Sequence, residues 1–255
     1  MQLIIYLVDD GSSDGTAAAV NELHPEVVLL RGNGSLYWGG GTRLACERAI
    51  LENPDFILWL NDDVELEGLA VETLLSTSRL FESKAIVAGS LSEARTGSHL
   101  YGGYRQSNPK RPLRFEPVTP SDQPQKVATM NGNVVLVPRP IWRLLGPPDK
   151  RFGHNMADMD YGLRSRSHGF DVVVAPGYVG TCQSNPGKQA WRDASTPLLD
   201  RWRFVISPKG LPPTEWLCFT FRYGGIRWPL YFLSPYLRAA FPTLMSRRKS
   251  RRPAE

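Results

Sequence analysis

Leu3-Ile4-Ile5-Tyr6-Leu7-Val8-Asp9-Asp10-Gly11-Ser12-Ser13-Asp14-Gly15-Thr16 opens the chain's first ordered unit. Six apolar residues without polar alternation read as a parallel strand buried on both faces. The run stops on two acids and a glycine, so the carboxylates stand at the strand's carboxyl end. Ser12, Ser13 and Asp14 are N-caps for a helix over 16–23, which Pro25 ends. Working outward, 27–30 is a second strand, 32–41 a Gly/Asn loop and 42–51 a helix. Residues 56–60 form a third strand, with Asn61-Asp62-Asp63 at its end. A helix over 68–81 and a strand over 85–88 follow. Strands alternating with helices at this spacing mean an α/β fold with a mostly parallel sheet flanked by helices.

Residues 98–125, rich in Gly, Pro, Arg and Ser, read as a long irregular loop. Beyond it come a strand over 134–137, a helix over 139–145, a loop over 152–157, a helix over 158–168 and a strand over 171–175. A helix over 189–206 closes the first domain, 1–206. Residues 207–255 form an aromatic, basic C-terminal extension. The 255 residues are 42% hydrophobic and 22% charged, which excludes disorder as the main state. Cys46, Cys182 and Cys218 are scattered, which argues against a disulfide scaffold or zinc knuckle and fits a reducing compartment. Neither a signal peptide nor a membrane span is legible; the apolar stretch 228–245 is broken by Pro229, Pro235, Arg238 and Pro242. The net charge of +5 resides at the end, where Arg238, Arg247, Arg248, Lys249, Arg251 and Arg252 face only Glu255. The body is therefore neutral, which argues against a nucleic-acid groove.

In open α/β sheets, ligands bind at the carboxyl ends of strands. Asp9/Asp10 and Asp62/Asp63 both fall there. Such carboxylates hold a nucleotide diphosphate well when Mg²⁺ or Mn²⁺ bridges the two sets of oxygens. The alternative is that they cap turns and helices.

Three segments, in order, resemble family 2 glycosyltransferases of the GT-A fold. Val8–Thr16 is similar to the VDDGSxDGT signature, Leu58–Asp63 to the DxD-type metal motif, and Ala157–Arg164 to the segment carrying the catalytic base. The resemblance, which runs from residue 3 to about 180, is nearest to bacterial rhamnosyltransferase-like members. It implies an inverting transfer from a nucleotide-sugar, dTDP- or UDP-linked, to a saccharide or lipid-linked acceptor in cell-surface polysaccharide synthesis. By the same resemblance Asp9 and Asp10 bind base and ribose. Asp62 lies by the sugar and metal, Asp63 is the direct ligand of Mg²⁺ or Mn²⁺, and Asp158 is the base. The alternative is a non-catalytic homologue acting as a binding or assembly subunit.

The sequence departs from the pattern in three places. Ala157 stands where the family has Glu. No His occurs in 178–185, where Cys182 reads as a packed thiol. The family's opening strand and helix are missing before 3–8, so that strand is expected to keep an open edge. Gly39-Gly40-Gly41 reads as a glycine-rich entry to a helix with Arg43 in its first turn, suited to phosphate. Tyr37 and Trp38 either stack on a sugar or base or pack a core. His154 and Asp160 are acceptor-side candidates. The tail suits an anionic lipid surface, or is a solvated appendage. Together these readings imply a cytoplasmic protein, peripheral on the inner face of the membrane.

Overall fold

The computed structural model describes residues 2–183 and 195–241. Two compact units result. One comprises 2–109 and 114–183; the other comprises 110–113 and 195–241. The helix ending at residue 206 therefore belongs with the second unit, where the sequence boundary put it in the first.

The first unit begins with β1 (Tyr6–Asp9), α1 (Thr16–Leu23), β2 (Val28–Arg31), α2 (Tyr37–Ala49), β3 (Phe56–Leu60), β4 (Val64–Leu66), α3 (Ala70–Leu80) and β5 (Ala85–Glu93). Short strands β6 (His99–Tyr101), β7 (Gly103–Gln106), β8 (Phe115–Pro117), β9 (Gln125–Lys126) and β10 (Thr129–Met130) follow, where an irregular loop was expected. At two to four residues each, they are too short to show a period-2 pattern. The unit closes with β11 (Val134–Pro138), α4 (Arg139–Leu145), α5 (Ala157–Ser167) and β12 (Asp171–Cys182).

The expected α/β architecture is present, but its central sheet is mixed. The order is β3-β11-β5-β12-β4, with β6 on β5 and β9 on β12. Strands β5 and β12 are parallel, whereas β11 lies antiparallel to both β3 and β5. The segment Val134-Val135-Leu136-Val137-Pro138 is buried throughout, as a central strand covered on both faces must be. Core residues alternate between the two faces. Ile86, Ala88, Val135, Val137, Val172 and Val174 meet Trp59, Trp142 and Tyr161 on one side. Val87, Leu136 and Val173 meet Leu74 of α3 on the other.

β1 pairs in parallel with β2 and, among the described residues, with no other strand. It starts later than expected. Leu3, Ile4 and Ile5 lie outside it and are exposed. Its contact with the rest of the unit runs through α2, whose Gly41 lies against Val8.

The second unit contains α6 (Leu198–Ile206), α7 (Pro213–Tyr223) and α8 (Trp228–Ala240). The expected helix over 189–206 is thus seen from 198; residues 189–194 lie outside the described ones. No described helix is long and apolar enough to cross a membrane.

Candidate active site

The first surprise is where α2 begins. It starts at Tyr37, so Gly39-Gly40-Gly41 lies inside the helix and Arg43 in its second turn. The cap is supplied from far away. The Asp10 carboxylate accepts the N–H groups of Gly34 (2.8 Å), Leu36 (2.8 Å) and Tyr37 (3.0 Å). A carboxylate satisfying the orphan donors of a helix start is a favourable arrangement, and it spends most of Asp10 on structure. Asp9 is buried, and its Oδ1 accepts the Ser12 N–H at 2.8 Å. The Ser12 hydroxyl and N–H hold that carboxyl below its ordinary range.

Gly39 has a packing reason of its own. Its N–H donates to Gly153 O at 2.7 Å, and a Cβ there would collide with the carbonyl oxygens of Phe152 and Gly153. The glycine run thus lets α2 lie on the loop before α5, and is not free to cradle phosphate. Arg43 pairs with Glu47 at 2.6 Å and donates to Pro148 O at 3.0 Å. Both side chains line an open depression of about 330 Å³ with Lys150 and Phe152.

The start of α5 meets the same region. Asp158 Oδ2 accepts the Gly132 N–H at 3.0 Å, and Oδ1 accepts the Met159 N–H at 2.7 Å. These donors and the helix N-terminus all complement a negative charge at Asp158. Tyr37 (φ 53°) and Met156 (φ 69°) begin the two helices with positive φ, which costs a non-glycine residue on the order of 1 kcal/mol or more. Tyr37 meets His154 edge to face, with ring centroids 6.1 Å apart. Two strained helix starts are therefore clamped together beside Asp158.

Trp38 ties this region to the third strand. Its Nε1–H donates to Asn61 Oδ1 at 2.8 Å, and Asn61 N–H donates to Asn133 O at 3.0 Å. The indole lies so close to Gly132 that a Cβ there would overlap it. Trp38 also packs edge-on against Trp59, so of the two readings for Trp38 the structure provides packing. Asn131, one residue before Gly132, donates its N–H to Gly102 O at 2.8 Å. Burial, and secondarily the Asp158 charge, push the Tyr104 phenol above its ordinary value, so it stays a proton donor. The sequence reading missed Tyr104, Asn131 and Gly132, whose only signal would have been their closeness to Asp158 in space.

Asp62 and Asp63 follow β3 in an exposed turn and have no hydrogen bond or ion pair among the described residues. They are hard oxygen donors open to a ligand, which fits Mg²⁺ or Mn²⁺. No described group of three or more His, Cys, Asp or Glu could hold a metal. Two carboxylates suffice for a cation whose other ligands are phosphate and water. Cys182, opposite Val64 at the end of β12, is buried in the core beside α3, as a packed thiol should be.

Asp160 does not line the site. Its side chain is fully buried and pairs with Arg164 at 2.7 Å. Positions i and i+2 face opposite sides of a helix, so Asp158 and Asp160 cannot share a face. Ala157 is also fully buried.

An α/β sheet with acidic turns at its strand ends, backed by helix starts, is the GT-A architecture of nucleotide-sugar enzymes. Comparison with known proteins agrees. Residues 2–131 match Glycosyl transferase family 2, and the chain belongs to that family. It is 27% identical over 201 residues to N-acetylglucosaminyl-diphospho-decaprenol L-rhamnosyltransferase from two strains of Mycobacterium tuberculosis, CDC 1551 and H37Rv. That alignment covers 68% of this chain and 64% of the relatives' length. The fold is also similar to the crystal structure of GalNAc-T7 with UDP, GalNAc and Mn²⁺ (TM-score 0.58, 14% identity, 92% of this chain and 48% of that one). The chain is thus a member of glycosyl transferase family 2 with a GT-A fold.

Proposed function

We propose that the protein is an inverting glycosyltransferase using a dTDP- or UDP-linked sugar, with rhamnose the favoured donor sugar. Its acceptor is a saccharide or lipid-linked saccharide of cell-surface polysaccharide synthesis, met at the inner face of the membrane. The rhamnosyltransferase relatives support the sugar and the acceptor class. The observation that carries the chemistry is the placement of Asp158. It heads α5, is held by two backbone N–H groups, and lies beside Gly132 and the Asn61–Trp38 link.

In this reading Asp158 removes the proton of the acceptor hydroxyl as that oxygen attacks the anomeric carbon. A single displacement inverts the configuration, and no covalent nucleophile is needed. Tyr104 and Asn131 border the acceptor side. Asp62 and Asp63 would hold Mg²⁺ or Mn²⁺, which when bound neutralises the diphosphate of donor and leaving group. Asp9 and Asp10 shape the base and ribose pocket by fixing the 10–15 and 32–37 loops. The 242–255 tail, outside the described residues, adds attraction to anionic lipid.

A second reading, a binding or assembly subunit, is favoured by the consumption of the Asp10 carboxylate in capping α2. One experiment separates the two. Asp158→Asn should lower transfer by about 10²–10⁴ and leave donor affinity by calorimetry nearly unchanged. Asp63→Ala should remove the dependence of that affinity on metal. A wild-type protein that binds donor but never transfers it, with any acceptor-pathway extract, selects the second reading.

A further inference from the structure

Helix α8 has two apolar faces and only one of them is used. Its inner face, with Ala239 and Tyr236, packs on Val205 and Phe204 of α6, and Tyr236 Oη donates to Leu211 O at 2.8 Å. The outer face carries Leu230, Leu233, Leu237 and, just past the helix, Phe241. They are 69%, 49%, 44% and 55% exposed. The spacing i, i+3, i+7, i+11 puts them in one stripe. Helix α7 runs antiparallel to α8: Trp216 donates to the Tyr231 and Phe232 carbonyls, and Phe221 meets Trp228 edge-on. The turn between the helices presents Ile226, which is 98% exposed, and Phe221 near the end of α7 is exposed as well.

Charge selects the partner. From residue 207 to 241 the chain carries Lys209, Arg222, Arg227 and Arg238 against Glu215 alone. The five basic residues Arg247, Arg248, Lys249, Arg251 and Arg252 follow within a dozen positions. An apolar stripe bordered by cations suits an anionic lipid surface, where cations reach headgroups and apolar side chains enter the acyl boundary. A second copy would set like charges against each other. Thirteen residues of α8 span about 20 Å, too short to cross a bilayer, so the helix lies in the plane of the interface.

We propose that the outer stripe of α8, with Ile226 at the α7–α8 turn, inserts into the surface of an anionic membrane. This deepens the membrane contact proposed above, moving its hydrophobic part from the tail onto two described helices; it is independent of the transfer chemistry.

The test uses the full chain with phosphatidylcholine vesicles, plain or containing roughly a third phosphatidylglycerol, and no donor. Cosedimentation should favour the anionic vesicles. Leu230→Ser with Leu237→Ser should lower partitioning by roughly tenfold per leucine, with part of the wild-type binding surviving high salt. These positions are exposed, so the fold should survive. As an independent readout, an environment-sensitive dye on Ile226→Cys, in a Cys218→Ser background, should shift to the blue with vesicles. Binding that is lost entirely in high salt and unchanged in the double serine variant would overturn the stripe while leaving the tail contact standing. A concentration-dependent dimer, dissolved by the same substitutions and without vesicle binding, would assign the stripe to self-association instead.

Discussion

Gly132→Ala adds one methyl group at the most crowded point of the site. The new Cβ would lie 3.2 Å from Asp158 Cβ and inside 3.0 Å of two carbons of the Trp38 ring. Ordinary carbon–carbon contact is ~3.5–4.0 Å, so the indole must retreat by on the order of 1 Å. Its Nε1 bond to Asn61 then stretches from 2.8 Å toward breaking, and the Gly132 donor to Asp158 shifts with it. Overpacking of this kind costs about 1–3 kcal/mol of stability. A displacement of about 1 Å in a reacting group costs on the order of 10² in rate. We therefore expect transfer to fall about a hundredfold, while the thermal midpoint drops by a few degrees and donor affinity changes little. Trp38→Phe in the same chain shortens the intruding ring and should return part of the lost rate, a coupling that a double-mutant cycle reads directly. Initial rates with saturating donor and acceptor are the assay. Wild-type turnover in Gly132→Ala would refute the reasoning, because it would mean that neither Trp38 nor Asp158 is held where the reaction needs it.

Asp160→Asn should destabilise the fold by about 3 kcal/mol, because it leaves the partly buried Arg164 without its charge partner; a denaturant titration measures this. Asp10→Ala orphans three N–H groups at the start of α2 and should cost about 2–3 kcal/mol, read the same way, with donor affinity lost in parallel as the 32–37 loop loosens. His99 has both ring nitrogens buried without a hydrogen-bond partner among the described residues, and burial lowers its pKa. The unfolded chain takes up a proton near pH ~6.5, which the folded chain resists. Stability should therefore fall as the pH drops below about 6.5 and level off once the folded histidine protonates. His99→Gln should flatten that part of the stability–pH curve.

Local signals were legible and distant ones were not. The limits of α1 and α4 fall where the sequence put them, at 16–23 and 139–145, although the residue capping α1 is Gly15 and not Ser12, Ser13 or Asp14. The start of α2 does not, because its cap comes from Asp10, 26 residues before Leu36. Five glycines among residues 32–41 read as a loop, whereas α2 takes in three of them, Gly39, Gly40 and Gly41, the first because it must approach the Phe152 and Gly153 carbonyls. β12 runs past its expected end at 175 because Pro176-Gly177 makes a bulge, with shifts of register around Tyr178, and does not terminate the strand. The position of Asp158 at a helix start was visible in the sequence. That Asp160 faces the other way follows from the same helix, once its period is applied.

The acids of the site divide by what surrounds them, and the division carries the functional argument. Asp9, Asp10 and Asp160 are satisfied by Ser12, by the start of α2 and by Arg164. Their charge is already balanced, and a ligand gains little from them directly. Asp62 and Asp63 are neighbours with no balancing partner among the described residues. Two adjacent carboxylates repel, and an exposed turn tolerates this only because water screens them. A divalent cation would relieve that repulsion and at the same time recruit a diphosphate, which the neutral body of the protein does not attract by charge alone. Asp158 lies between these cases. Its two backbone donors, Gly132 and Met159, fix its direction at the start of α5, and neither is a cation that would neutralise it, which suits a base that must be held in place while keeping its negative charge.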